Sequence, residues 1–498
     1  MQSILKMTAQ PELKRNWILA ALMLTMFLAA MDIAVISTVI PQIVADIGGF
    51  NKIPWVYSIY LLTQTTTIPL YGKMADLYGR KKILIIGITL FLLGSASAAF
   101  SWDIYSLIVF RGVQGLGGGS IMATAATIAG DIYSIEERAK IQGWLSSVWG
   151  ISAILGPVIG GGLTEYLNWR WIFWINLPMG IIAIVLIAIF LKEKITKQKA
   201  SIDYWGALTI FSLLTAVILF FNAGDKETWP WISWYSLIFL TATILLIIVA
   251  VFVERKAKSP ILPGWVLTNP TFLGSNLAVV GLGIAMMGTQ TYLPTFLQAS
   301  LGYDIILSGL VLSAMSIGWP TASALSGKLY LRIGFRNTEL IGATVVILSC
   351  IGFLLIPWPQ NIYLIALDMV FLGAGFGLLS TPTIVGIQSV VGWDKRGVVT
   401  GANQFGRYLG QSLGAAIFGA IFNATYTHKF DTSGFDLPKE TKDVLNSLPH
   451  LSQDAQHFVR ESFNIANQNV FHGMVIFGIL TFFVVFWLVP RRLEKFDG

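Results

Sequence analysis

Four ionisable side chains, Asp32, Arg111, Asp368 and Arg407, lie well inside runs that are otherwise apolar. If those runs cross a membrane, each charge costs at least about 2.5 kcal/mol at mid-depth, so each is a functional hypothesis by default. A carboxylate and a guanidinium that meet there offset part of that cost. They also form a proton switch, because burial disfavours a charged carboxylate while an adjacent cation favours it. Asp32 lies about 12 Å from the far end of its run and Arg111 about 9 Å, at 1.5 Å per residue. The two are therefore expected at similar depth, facing each other. A pair made in one conformation and broken in another would let Asp32 take up and release a proton. A pair that never breaks would only tie two helices together.

Asp368 occupies nearly the mirror position of Arg111, with opposite sign. Three readings stand for it: a second proton or cation site, a partner of Arg407, or an acid on the rim of a wet cavity. Gln290, Asn403, Gln404, Arg407 and Gln411 are the polar candidates for lining a ligand path in the second half of the chain. Met286, Met287, Met315 and Trp319 would give that path a soft apolar wall; the alternative is ordinary helix packing.

The elements that position these residues are long helices. The chain is 55% hydrophobic and 12% charged, against about 25% charged in soluble domains. Lipid must then be part of its solvent, and in lipid only helices or closed barrels satisfy the backbone. The apolar runs have helical length, and none shows the alternation of a barrel strand. Fourteen spans are expected over 17–40, 55–72, 83–100, 105–128, 139–163, 172–191, 204–222, 233–253, 271–293, 305–326, 338–356, 362–386, 398–425 and 467–489. The first run continues to Pro41 with no small-residue cleavage site, so it reads as a retained helix. Of the 33 Lys and Arg residues, 24 fall on the side of the N-terminus, 7 on the other side, and 2 within spans. That bias predicts both termini in the cytoplasm and an inner-membrane protein. It also explains the net charge of +7 without nucleic acid.

The spans repeat. Gly72-Lys73-Met74 with Gly79 returns as Gly327-Lys328-Leu329 with Gly334, and Gly115, Gly117 and Gly119 return as Gly373, Gly375 and Gly377. The expected fold is all-α: a six-helix bundle over 1–200, two inserted helices over 201–258, and a second six-helix bundle over 259–498. Repeated halves around a midplane site are the usual build of a secondary transporter. The far-side loop 426–466 holds two amphipathic stretches, 438–448 and 452–465, expected as short helices broken near Pro449. They read equally as a cap over the exit and as a solvated linker. Cys350 is the only cysteine, and no G-x-x-x-x-G-K-[ST] loop occurs, so neither a disulfide framework nor a P-loop is expected. The histidines are not spaced for a metal, and no clustered nucleophile and base argues for an enzyme.

The loop Gly72-Lys73-Met74-Ala75-Asp76-Leu77-Tyr78-Gly79-Arg80-Lys81-Lys82 resembles the loop 2–3 signature of the major facilitator superfamily. The resemblance implies a gating loop in which Gly72, Asp76, Gly79 and Arg80 act together. Asp76 is expected to pair with an arginine of its own half or to cap the next helix. In the second copy Leu331 and Phe335 stand where Asp76 and Arg80 stand, so a charge latch is expected only in the first half. Gly150, Gly156, Pro157, Gly160 and Gly161 in span five resemble the antiporter motif of the same superfamily. With the inserted spans, Trp169-Arg170-Trp171, Met31-Asp32 and Thr400-Gly401-Ala402-Asn403-Gln404, the chain is similar to the fourteen-span drug:proton antiporter branch. The resemblance implies a monomer in membrane lipid that exports lipophilic, often cationic, small molecules against protons, with the proton as coupling ion and no other cofactor. Export of lipids or metabolites and uncoupled facilitation are the alternatives.

Overall fold

The computed structural model describes residues 12–48, 52–193, 204–223, 233–257, 260, 262–431 and 451–496. Helices cover all fourteen predicted spans. In chain order they are α1 (Glu12–Ile47), α2 (Ile53–Tyr78), α3 (Arg80–Ala99), α4 (Ile104–Ile132), α5 (Ile135–Tyr166), α6 (Trp171–Trp174), α7 (Asn176–Phe190), α8 (Tyr204–Ala223), α9 (Trp234–Lys256), α10 (Gly264–Thr268), α11 (Pro270–Ala299), α12 (Ile305–Ser313), α13 (Met315–Ile333), α14 (Phe335–Leu355), α15 (Ile362–Val390), α16 (Arg396–Asp431) and α17 (Gln453–Leu488). Among the described residues, nine helices are long and apolar enough to cross a membrane by length and composition. The predicted spans on α2, α4, α8, α12–α13 and α16 fall outside that set. In α2, α4, α13 and α16, polar side chains (Gln64 and Thr65, Gln114 and Thr124, Ser323 and Ser326, Asn403 and Gln404) are buried.

The repeat in sequence is a repeat in packing. Helix α4 lies between α2 and α3, and α15 lies between α13 and α14. The glycine rows explain the closeness. A Cβ on Gly115 would stand 2.4 Å from Tyr60 O, and one on Gly117 2.3 Å from Phe91 N. A Cβ on Gly377 would likewise stand 2.4 Å from Trp319 O. Small residues let helix backbones approach in this way. Gly79 (φ 95°) and Gly334 (φ 88°) make the same sharp corner in the two copies, between α2 and α3 and between α13 and α14. Helices α1 to α7 enclose two apolar clusters, and α11 to α17 enclose a third. The two groups meet along two seams, α2 with α16 and α5 with α13. Helices α8 and α9 pack on each other, and α8 rests against both α2 and α16.

The C-terminal end departs from expectation. The stretch 452–465 is not a separate short helix; it is the beginning of α17, which runs unbroken from Gln453 through the last predicted span. No Pro or Gly interrupts residues 453–472, and Asn464 finds an internal partner in Gln360 at 2.9 Å. The stretch 438–448, Pro449 and His450 lie outside the described residues.

Candidate functional site

Asp32 and Arg111 meet. Asp32 on α1 is 3% exposed and Arg111 on α4 is fully buried, and Arg111 Nη1 donates to Asp32 Oδ2. Local sequence sets this register. Asp103 caps α4 by accepting from Ser106 N at 2.7 Å, which places Arg111 two turns into the helix. Gln114, one turn further on the same face, donates to Asp32 Oδ1 at 2.8 Å and accepts from Arg111 Nη1 at 2.7 Å. Asn176, at the start of α7, approaches Asp32 Oδ1 at 3.4 Å and donates to Ser95 Oγ at 3.0 Å. Ser95 in turn donates to Phe173 O at 2.9 Å. The Arg111 guanidinium also lies 4.3 Å from the centre of the Tyr60 ring. Every contact to Asp32 is a donor, so this constellation holds the ionised carboxylate. A proton on Asp32 would remove an acceptor and loosen three helices at once.

The loop after α2 forms a second constellation, at the end of the bundle that carries the termini. Asp76 Oδ1 accepts from Arg80 Nη2 at 2.7 Å. Its two oxygens also accept from the backbone N–H groups of Gly397 and Val398, each at 2.9 Å. Those groups are the exposed donors of the first turn of α16, so Asp76 caps a helix of the other half rather than the next helix of its own. Arg80 Nε pairs with Asp131 Oδ2 at 3.0 Å, and Arg396 Nη1 with Asp131 Oδ1 at 2.8 Å. The Arg80 guanidinium stacks 3.5 Å from the Trp393 ring centre. Gly72 and Gly397 permit the contact, since a Cβ on Gly72 would stand 2.4 Å from Gly397 O. Burial pushes the Asp76 carboxyl up to about 7, against the pull of Arg80 and of the two backbone N–H groups. On the other seam Tyr330 Oη donates to Ile135 O at 2.5 Å. The terminal end is therefore closed along both seams.

The predicted motif in α5 divides between two contacts. Gly150 lies on the seam, where a Cβ would stand 2.3 Å from Ser316 Cβ of α13. Gly156 lies against α1, where a Cβ would stand 2.5 Å from Ala34 Cβ, two residues from Asp32. Gly160 is buried, whereas Gly161 is exposed with open space around it. Pro157 falls within the same helix.

The second half differs. Asp368 does not pair with Arg407. It accepts from Ser349 Oγ of α14 at 2.9 Å, and its Oδ2 is buried without a partner. The glycine rows explain why. Their 258-residue offset puts Met369, not Asp368, at the position of Arg111. One residue turns the side chain about 100° around the helix, and Asp368 faces Ser349 of α14. Aligning Pro294 with Pro41 puts Ala285 at the position of Asp32, and Ala285 is buried and apolar. Of the ligand-path candidates, Gln411 Nε2 lies 3.3 Å from Met286 Sδ across the α11–α16 contact. Asn403 and Gln404 are buried on α16, and Asn403 Nδ2 and Arg407 Nε lack partners. Gln290 is half-buried on α11. Trp319 stands apart on α13, 5.5 Å from Phe376, with its Nε1 unpartnered.

Sequence reasoning missed Gln114, Asp131, Arg396 and Tyr330, and met Asn176 only within the stretch Asn176-Leu177-Pro178 that shares in the family resemblance, without a site role. The i, i+3 spacing from Arg111 was the available signal for Gln114. Nothing local signals Asp131 or Arg396, whose partners lie 51 and 265 residues away.

The Major Facilitator Superfamily sequence model matches residues 22–415. The multidrug transporter protein MdtP of Bacillus subtilis is 34% identical over 80% of this chain and 73% of its own length. Multidrug resistance protein 3 of the same organism is 32% identical over 85% of this chain and 83% of its own. The crystal structure of the human organic anion transporter MFSD10 (TETRAN) superposes with a TM-score of 0.65 at 13% identity, covering 96% of this chain and all of that one. That likeness speaks to the fold.

Proposed function

The chain belongs to the major facilitator superfamily, and from that premise we propose that it exports lipophilic, often cationic, small molecules in exchange for protons. The buried Asp32–Arg111 pair carries this reading. The pair is the means by which one residue can hold either a proton or an attraction for a cation, and Gln114 and Asn176 fix the carboxylate where that choice is made. The names of the bacterial relatives support drug-like substrates.

In this reading fourteen helices cross the inner membrane, and both termini are cytoplasmic. The two six-helix halves, 1–200 and 259–498, rock about a midplane site, with helices 201–258 inserted between them. The Asp76 latch then closes the cytoplasmic end, and the pictured state is one whose Asp32 is ready to be protonated from outside. One charge moved through 100 mV supplies about 2.3 kcal/mol, enough for a gradient of several tens-fold at about 1.4 kcal/mol per decade. The test is ethidium efflux from cells that express the protein. Efflux that stops when a protonophore collapses the gradient supports exchange. Efflux at an unchanged rate under the protonophore rejects it.

A further inference from the structure

The hydrogen bonds of the Asp32 site leave polar groups unsatisfied on one side. Tyr60 and Gln64 of α2 are fully buried, yet the Tyr60 hydroxyl and both amide atoms of Gln64 have no hydrogen-bond partner. Arg111 Nη2, against the Tyr60 ring, is buried and unpartnered as well. The orphaned groups are neighbours. A Cβ on Gly118 would stand 3.0 Å from Tyr60 Oη and 3.6 Å from Gln64 Cδ, so both side chains converge on one point over α4. Tyr60 and Gln64 are also one turn apart, on a single face of α2.

That face leads toward the latch. Along the α2–α16 seam, Ile68 and Pro69 meet Gly401, and Gly72 meets Gly397. The helices run in opposite directions, so continuing the same register brings Tyr408 of α16 to the level of Tyr60. Tyr408 is indeed buried in the same apolar cluster as Tyr60, inside the first half. Its neighbour Arg407 places a guanidinium 5.4 Å from the Tyr408 ring centre. The polar strip thus starts at Arg111, passes Tyr60, Tyr408 and Gln64, and ends under the glycine contacts that Asp76 clamps.

Burying a donor or acceptor without a partner costs about 1–3 kcal/mol. Three of these atoms, Tyr60 Oη and the two amide atoms of Gln64, converge on one place, and they call for a ligand that both donates and accepts, of which water is the smallest. We propose that Tyr60, Gln64 and Tyr408 hold water along the α2–α16 seam, and that this strip is the route by which the Asp32 proton reaches the cytoplasm once the latch opens. The proposal rests on the proton-exchange reading of Asp32. In the step, the Asp32 O–H bond breaks and its proton passes to a water held by Tyr60 and Gln64. A proton leaves the strip at its cytoplasmic end, and the Asp32 carboxylate recovers its hydrogen bond from Arg111. The side chains and the water end as they began. With the latch closed, the Gly72–Gly397 contact seals the strip; separation of α2 from α16 opens it. These residues position the proton path and need not touch the exported molecule.

The test is the rate of ethidium-driven proton release from protein in sealed proteoliposomes, with ethidium affinity measured separately by tryptophan quenching. Gln64→Leu and Tyr60→Phe are expected to slow release by about tenfold or more while affinity is kept, and Gln64→Asn to recover much of the rate. Wild-type release should also slow in D2O, and the slowing should be altered in Tyr60→Phe. Release at the wild-type rate in Gln64→Leu, Tyr60→Phe and Tyr408→Phe, with Asp32→Asn inactive, would overturn the water route and leave proton exchange standing. Continued proton release by Asp32→Asn would overturn both.

Discussion

In the first half, the loop between α2 and α3 carries Asp76 and Arg80 into a buried group of four charges completed by Asp131 and Arg396. In the second half, the corresponding loop offers Leu331 and Phe335, and its reach across the seam is the neutral hydroxyl of Tyr330 on Ile135 O. The same contrast recurs at mid-depth, where Asp32 and Arg111 have Ala285 and Met369 as counterparts. Yet the backbones match, down to the two positive-φ glycines at equivalent corners. The comparison teaches that the repeat supplies geometry twice and buried ion pairs once: among the described residues Asp368 and the buried Glu339 of the second half have no ion-pair partner. Packing demands small residues in both halves, because close helices need them wherever they occur. Buried charges are costly unless paired, so a second set would add cost without adding a different task.

The strongest way to break this contrast is to remove a charge from the latch. Arg80→Ala leaves Asp76 and Asp131 buried with one cation fewer, and should destabilise the detergent-solubilised protein by about 3–5 kcal/mol. Tyr330→Phe on the other seam loses one neutral hydrogen bond and should cost only about 0.5–1.5 kcal/mol. Thermal unfolding of the two variants side by side measures the gap, and equal losses would erase the distinction between a charged and a neutral latch.

The shared geometry can be tested next. Gly79→Ala and Gly334→Ala each force a side chain into a conformation that only glycine adopts readily, at about 1–3 kcal/mol apiece. The same assay should give similar losses for both. A marked inequality would mean that the two corners are not equivalent.

A smaller effect concerns pH. Asp76 is pushed up to about 7 when buried beside Arg80, with Asp131 adding to the rise, and Lys73 lies close enough to feel its charge. In an open latch a solvated Asp76 returns toward about 4. Between those values the closed state binds the proton more readily, so acidification from pH 8 to 5 favours closure. Cysteine accessibility at the terminal end of α2 should fall with pH, and Asp76→Asn, neutral throughout, should flatten the profile.

The sequence made the helices and the repeat legible, because apolar length and glycine spacing are local properties. It also showed that Arg111 could meet Asp32. The partners of the latch were not legible, since Asp131, Arg396 and the N–H groups of Gly397 and Val398 come to Asp76 and Arg80 only through contact between the halves. Of the three readings of Asp368, partnership with Arg407 failed, because its carboxylate faces Ser349 of α14. That Asp32 and Arg111 lie level with each other was readable from the sequence, but the helix face of Asp368 required the structure.

The unequal chemistry of the halves is most directly tested by pH change inside sealed proteoliposomes under an imposed proton gradient, on addition of ethidium, for wild type, Asp32→Asn and Asp368→Asn. Ethidium-dependent proton movement in wild type and Asp368→Asn, lost in Asp32→Asn, is the expected result. Movement that survives in Asp32→Asn and disappears in Asp368→Asn would place the proton chemistry in the second half and contradict its assignment to Asp32.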